Sequence, residues 1–119
     1  MKKLLLLLIL LPNLAFAFPR EMQATLKWWE YSYESGQSFP TNPFDDVTVK
    51  VVKRDGSFYW GRKECSGDSK SLLCRKQSKV SGCPLTSLLR VDAKTKRITL
   101  GERYECKDGL FVVKRRGRY

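Results

Sequence analysis

Four cysteines and no histidine frame the chemistry open to this 119-residue chain. Without histidine there is no ordinary general base at neutral pH. There is also no Ser-His-Asp or Cys-His nucleophile, and none of the usual catalytic zinc sets. Cys65, Cys74, Cys83 and Cys106 are spaced by nine, nine and twenty-three residues. That spacing holds no C-x-x-C pair, which argues against a dithiol redox site and against a Cys₄ zinc site. An even count in a short chain predicts two disulfides instead. Of the three possible connectivities, a local Cys65–Cys74 clasp with Cys83–Cys106 across strands is preferred.

A carboxylate pair can still run glycoside hydrolysis. The candidates are Glu30 with Glu34 and Asp45 with Asp46. The glutamates alternate against Trp29, Tyr31 and Tyr33 and read as the solvated side of a strand. Asp45-Asp46 reads as a turn into a strand beginning at Val47. Neither pair sits in a catalytic motif, and no phosphate-binding glycine loop is present. The expectation is a protein that is not an enzyme and uses neither cofactor nor metal.

Charge carries the stronger signal. Residues 18–61 hold 5 basic and 6 acidic side chains, whereas residues 62–119 hold 16 and 6. The surplus therefore lies in the cysteine-bearing half, and a field of that sign favours anionic partners. Three basic groups stand out. Arg75, Lys76 and Lys79 join Arg62, Lys63 and Lys70 around the cysteines. Lys94, Lys96 and Arg97 line a turn, and Arg115 and Arg116 lie with Lys114 and Arg118 in the C-terminal tail. The plainer alternative is that these charges only keep a small domain soluble.

Aromatic residues form the second candidate surface. Trp29, Tyr31, Tyr33 and Tyr59, with Trp28, Phe58 and Trp60, fall on two predicted strands that could neighbour one another. They serve either as core and cross-strand pairs or as a stacking platform for sugars or bases.

The elements that must position these groups are strands. Met22, Ala24, Leu26 and Trp28 alternate with polar residues, and the phase slips by one at Trp28-Trp29, which predicts a β-bulge. A helix over residues 20–31 competes on propensity, but the Trp-Trp-x-Tyr-x-Tyr run favours a strand. Residues 35–45, with Pro40 and Pro43, read as a loop. Val47, Val49 and Val51, the Asp55-Gly56 turn and residues 57–60 form the clearest hairpin in the chain. Residues 66–82 show no apolar period and read as an exposed excursion. Strands at 85–91, 97–100, 103–106 and 110–113 follow, and residues 114–119 read as a loose tail. The prediction is one all-β domain over 18–119. It would be an antiparallel meander of about six to seven strands, closing as a barrel or as a two-sheet sandwich.

Ahead of it, Lys2-Lys3, the eight-residue apolar run 4–11 and Ala15-Phe16-Ala17 have the layout of a signal peptide cleaved after Ala17. The run is well short of the roughly 20 residues a spanning helix needs, so no membrane span is expected in the mature chain. The destination would be secreted or periplasmic. Taken together, the residues predict an exported, non-enzymatic binding protein. Its partner would be an anionic glycan, a glycolipid, a nucleic acid or an acidic protein surface. The competing expectation is an assembly, accessory or inhibitor protein that meets an exported partner through the edge of the aromatic strand.

Overall fold

The computed structural model describes residues 18–33, 40 and 42–119. The predicted signal peptide, Glu34 and most of the predicted loop at 35–45 lie outside them. The strands are β1 Glu21–Tyr33, β2 Val47–Arg54, β3 Ser57–Trp60, β4 Lys63–Glu64, β5 Ser66–Gly67, β6 Ser71–Val80, β7 Cys83–Asp92, β8 Arg97–Cys106 and β9 Gly109–Arg118. They form one antiparallel sheet in the order β4-β3-β2-β1-β9-β8-β7-β6-β5, nearly closed as a barrel. Among the described residues no helix is long and apolar enough to cross a membrane.

β1 organises the sheet. Residues 21–26 pair with β2, and their alternation buries Met22, Ala24 and Leu26. Past Leu26 the strand ladders with β9, and the register shifts between Trp28 and Glu30. The bulge falls where the phase slip predicts it. Its extra residue is Trp29, so Trp29 does not share the face of Tyr31 as the simple alternation expects.

The predicted central hairpin is also present. Arg54 pairs with Ser57 across Asp55-Gly56, both at positive φ (51° and 83°), as a type I′ turn requires. A Cβ at Gly56 would meet nothing within 4 Å, so only backbone conformation opposes substitution there. Gly56→Val is therefore expected to destabilise the domain by about 1–2 kcal/mol, read as a lower urea midpoint with an unchanged slope. An unchanged midpoint would show that the turn does not need this φ.

Two expectations are corrected. Residues 66–82 are no excursion, because β6 pairs with β7 along its whole length through a second positive-φ turn at Ser81-Gly82. Leu72 and Cys74 point inward there, but Lys76 and Ser78 continue the same face and hide the period. The tail is not loose either. β9 runs to Arg118 between β1 and β8, and Gly117 lies so close to β1 that a Cβ would come within 2.5 Å of the Thr25 carbonyl oxygen. The described residues hold nine strands rather than six or seven: β4, β5 and β6 are added, the expected strands at 97–100 and 103–106 are one strand, β8, and the tail lengthens β9.

The interior consists of two apolar clusters. One gathers Leu26, Val51, Leu72, Leu89 and Ile98, and the other Leu85, Tyr104, Phe111 and Val113. Between them along β7, β8 and β9 lie Ser87, Glu102 and Arg115, a polar layer inside the sheet. The Arg115 guanidinium forms an ion pair with Glu102, whose other oxygen accepts from the Tyr104 hydroxyl at 3.3 Å. Arg115 also donates to the carbonyl oxygens of Asn42, Pro43 and Asp45 at 3.2–3.4 Å, strapping residues 42–45 across the sheet. Both preferred disulfides are present: Cys65, between β4 and β5, bonds Cys74 of β6, and Cys83 at the start of β7 bonds Cys106 at the end of β8.

Candidate functional site

Inward positions along the strands are taken by the core, so residues two apart on the alternate register face outward. On the outer surface of β1, β9, β8 and β7 several cations stand in register at one end of the sheet. Lys27 pairs directly with Arg116, Arg116 with Thr99, and Thr99 with Arg90. In the neighbouring row Arg118 pairs with Arg97. Directly opposed residues have Cβ atoms about 5 Å apart, and like charges there are destabilising. Among the described residues none of Lys27, Arg90, Arg97, Arg116 and Arg118 has a carboxylate within ion-pair distance. The Arg116 guanidinium lies 5.0 Å from the centre of the Trp29 ring, a cation–π contact at the bulge.

The predicted basic residues divide. Arg97 and Arg116 fall within this face. Arg75 and Lys79 are exposed on the outer side of β6, and Lys94 and Lys96 lie at the turn that leads into Arg97. Lys76 and Arg115 do not belong with them. The Lys76 ammonium sits 4.0 Å above the Trp60 ring at the barrel seam, and partial burial lowers its basicity. Arg115 is only 2% exposed and already carries Glu102. Burial pulls its pKa down, while Asp45 and Asp46 pull it up. It is a structural cation, correcting its expected anion-binding role.

Lys27 and Arg90 escape a reading based on charge runs because each is the lone cation of its strand stretch. Their outward phase is legible from the alternation around them, but their nearness to Arg116 needs the register. For Arg118 the signal is the even spacing of Lys114, Arg116 and Arg118, which is a strand period.

The aromatic surface does not assemble as one platform. β2 separates β1 from β3, so Tyr59 is remote from the β1 aromatics and lies instead beneath Arg54, 4.5 Å from its guanidinium carbon. Tyr31 packs with Trp28, Tyr33 and Phe44 on the inner side of the sheet, and Trp29 stands beside Arg116. The carboxylates read as the sequence expects. Glu30 is exposed and paired with Lys114 at 2.9 Å, and Asp45 accepts from the Asn42 amide in a turn.

Fold and surface together define a disulfide-bonded, nearly closed antiparallel β-sheet with a row of cations on its outer face. No protein family matches the chain, and neither a curated protein nor a solved structure matches it.

Proposed function

We propose that this protein is an exported, non-enzymatic binding protein whose cationic outer face takes an anionic polymer. The observation that carries the reading is the direct opposition of Lys27 to Arg116 and of Arg97 to Arg118. Asp92 faces Arg97 from the other side, but no carboxylate stands opposite Lys27 or Arg116, and surplus charge for solubility alone does not need to be stacked strand against strand. Both disulfides are consistent with an oxidising compartment, and the N-terminal leader supports export to the periplasm or the medium.

Binding to poly(dT), dextran sulfate and polygalacturonate, measured over a salt series, tests the reading. Five cations engaging a single-stranded polyphosphate predict a log–log salt slope of about −3 to −4. The double variant Lys27→Glu/Arg116→Glu should lose most of that affinity, while Lys94→Gln/Lys96→Gln should lose little. Affinity that ignores salt, or a double variant that binds as well as the parent, would overturn it. A stability corollary follows from the same opposition. Lys27→Thr should leave the domain as stable as the parent or up to about 0.5 kcal/mol more stable, a trade expected where charge is placed for binding.

A second reading has one observation behind it. Trp28 and Phe44 meet edge to face at 4.8 Å between ring centres, and they are 38% and 47% exposed. An exported protein partner seated on these rings would be captured in a manner insensitive to salt and sensitive to Phe44→Ala.

A further inference from the structure

The cationic face is not uniform. Where it runs onto β7 and β6 it changes character within a block of six outward residues. Ser71, Asp92 and Arg97 form one row across β6, β7 and β8, and Leu73, Arg90 and Thr99 form the next. An open depression of about 320 Å³ lies over this block, lined by these six residues together with Leu72, Val91 and Thr95. Its size is at the lower end of small-molecule sites.

The lining is chemically mixed in a specific way. Arg90 and Arg97, diagonal neighbours on adjacent strands, bring two guanidinium forks to one side. Thr99 and Ser71 supply hydroxyl groups that both donate and accept. Asp92 supplies a carboxylate to the lining, with Oδ2 accepting from both the backbone N–H and the hydroxyl of Thr95. Those two hydrogen bonds, with Lys94 and Arg97 nearby, hold the carboxyl below its ordinary pKa, so it stays an acceptor at neutral pH. Leu73 provides the apolar part of the floor.

We propose that this depression is a subsite for one acidic sugar unit of a glycan lying across the cationic face. The inference rests on the anionic-polymer reading and narrows it. A sugar ring bearing a carboxylate or a sulfate ester presents an anion for the arginine forks, hydroxyl groups for Thr99, Ser71 and Asp92, and C–H bonds for Leu73. A nucleic acid strand fits less well. The lining has no aromatic ring on which a base can stack, and a phosphodiester has no hydroxyl to offer Asp92. From this subsite the row continues through Thr99 to Arg116 and Lys27, so neighbouring acidic units of the same chain meet further cations at each strand.

The test compares four probes on the protein purified with both disulfides formed. Hexagalacturonate carries carboxylates and a chondroitin sulfate hexasaccharide carries sulfate esters as well. Cellohexaose is neutral, and the oligonucleotide dT7 matches hexagalacturonate in charge. At least one acidic hexasaccharide should bind more tightly than dT7 and cellohexaose should not bind, with amide shifts of the ligand-bound protein centred on Leu73, Arg90 and Thr99. Which acidic probe binds better tells a carboxylate from a sulfate subsite. Arg90→Gln and Thr99→Val should weaken hexasaccharide binding, the arginine by about 10- to 100-fold, and Arg90→Gln more than Lys27→Gln. All three positions are exposed or partly exposed, so an unchanged thermal midpoint confirms that each variant is folded. Binding of dT7 as tight as that of both acidic hexasaccharides, with Arg90→Gln no worse than Lys27→Gln, would overturn the sugar subsite and leave the polyanion reading standing. No binding of any charged probe would overturn both.

Discussion

Arg115→Met will cost the domain about 3–5 kcal/mol of its folding stability. Small domains have about 5–15 kcal/mol in all, so the loss is a large fraction of the whole. The size follows from what the side chain leaves behind. Glu102 would stay in the polar layer between the two apolar clusters without its cation, and the carbonyl oxygens of Asn42, Pro43 and Asp45 would lose their donor. A buried charge without a partner is far costlier than the intact pair is favourable. Glu102→Leu should be comparably damaging, because it leaves the guanidinium buried instead. The double variant Arg115→Met/Glu102→Leu should therefore be less damaged than the two losses added together, with a coupling of about 1–3 kcal/mol in the cycle. Urea unfolding of the four proteins measures this directly. Strict additivity, or single variants within about 1 kcal/mol of the parent, would show that the pair is solvated and that residues 42–45 are held by other means.

The same arginine shows why part of this fold is legible in the sequence and part is not. Periodicity finds a strand when its inward residues are apolar, as in Met22, Ala24 and Leu26 or in Val49 and Val51. In β9 the inward series runs Phe111, Val113, Arg115, and a buried charge in that phase makes the end of the strand look like a solvated tail. In β6 the inward series is Leu72, Cys74 and then Lys76, whose stem covers the seam while its ammonium rests on Trp60. Both misreadings have one physical source: long cationic side chains can occupy core-facing positions if a carboxylate, carbonyls or a ring receives the charge. The bulge at Trp28 and the Asp55-Gly56 turn are local, so they are readable without any knowledge of pairing. The cationic face is the opposite case. Lys27 and Arg116 are far apart in sequence, and only the strand order β1-β9-β8 makes them neighbours. Cysteine pairing was tractable because Cys83 and Cys106 bound consecutive hairpin strands, and Cys65 and Cys74 are close in sequence.

The two disulfides should differ in what their loss does. Cys83–Cys106 ties β7 to β8, which already share a continuous ladder from Leu85 to Asp92. Cys65–Cys74 works where the sheet has less to hold it. β4 and β5, two residues each, are its edge strands and β4 approaches β6 without a ladder; contacts there include the two-pair β5–β6 ladder, the Lys76–Trp60 stack and the Cys65 N–H to Phe58 carbonyl bond. The bond through Cys65 thus adds a covalent tie from the short β4–β5 connection to the interior of β6, beside the two-pair β5–β6 ladder. Chain entropy alone ranks the pair the other way, since the Cys83–Cys106 loop is the longer one, at a separation of 23 residues against 9. We expect Cys65→Ala/Cys74→Ala to lose about 3 kcal/mol, or roughly 12–24 °C in Tm. Amide exchange should accelerate in β3, β4 and β5 first. Cys83→Ala/Cys106→Ala should lose less, with faster exchange confined to the ends of β7 and β8. The reverse order of losses would mean that unfolded-state entropy governs both bonds and that the seam is closed by packing alone.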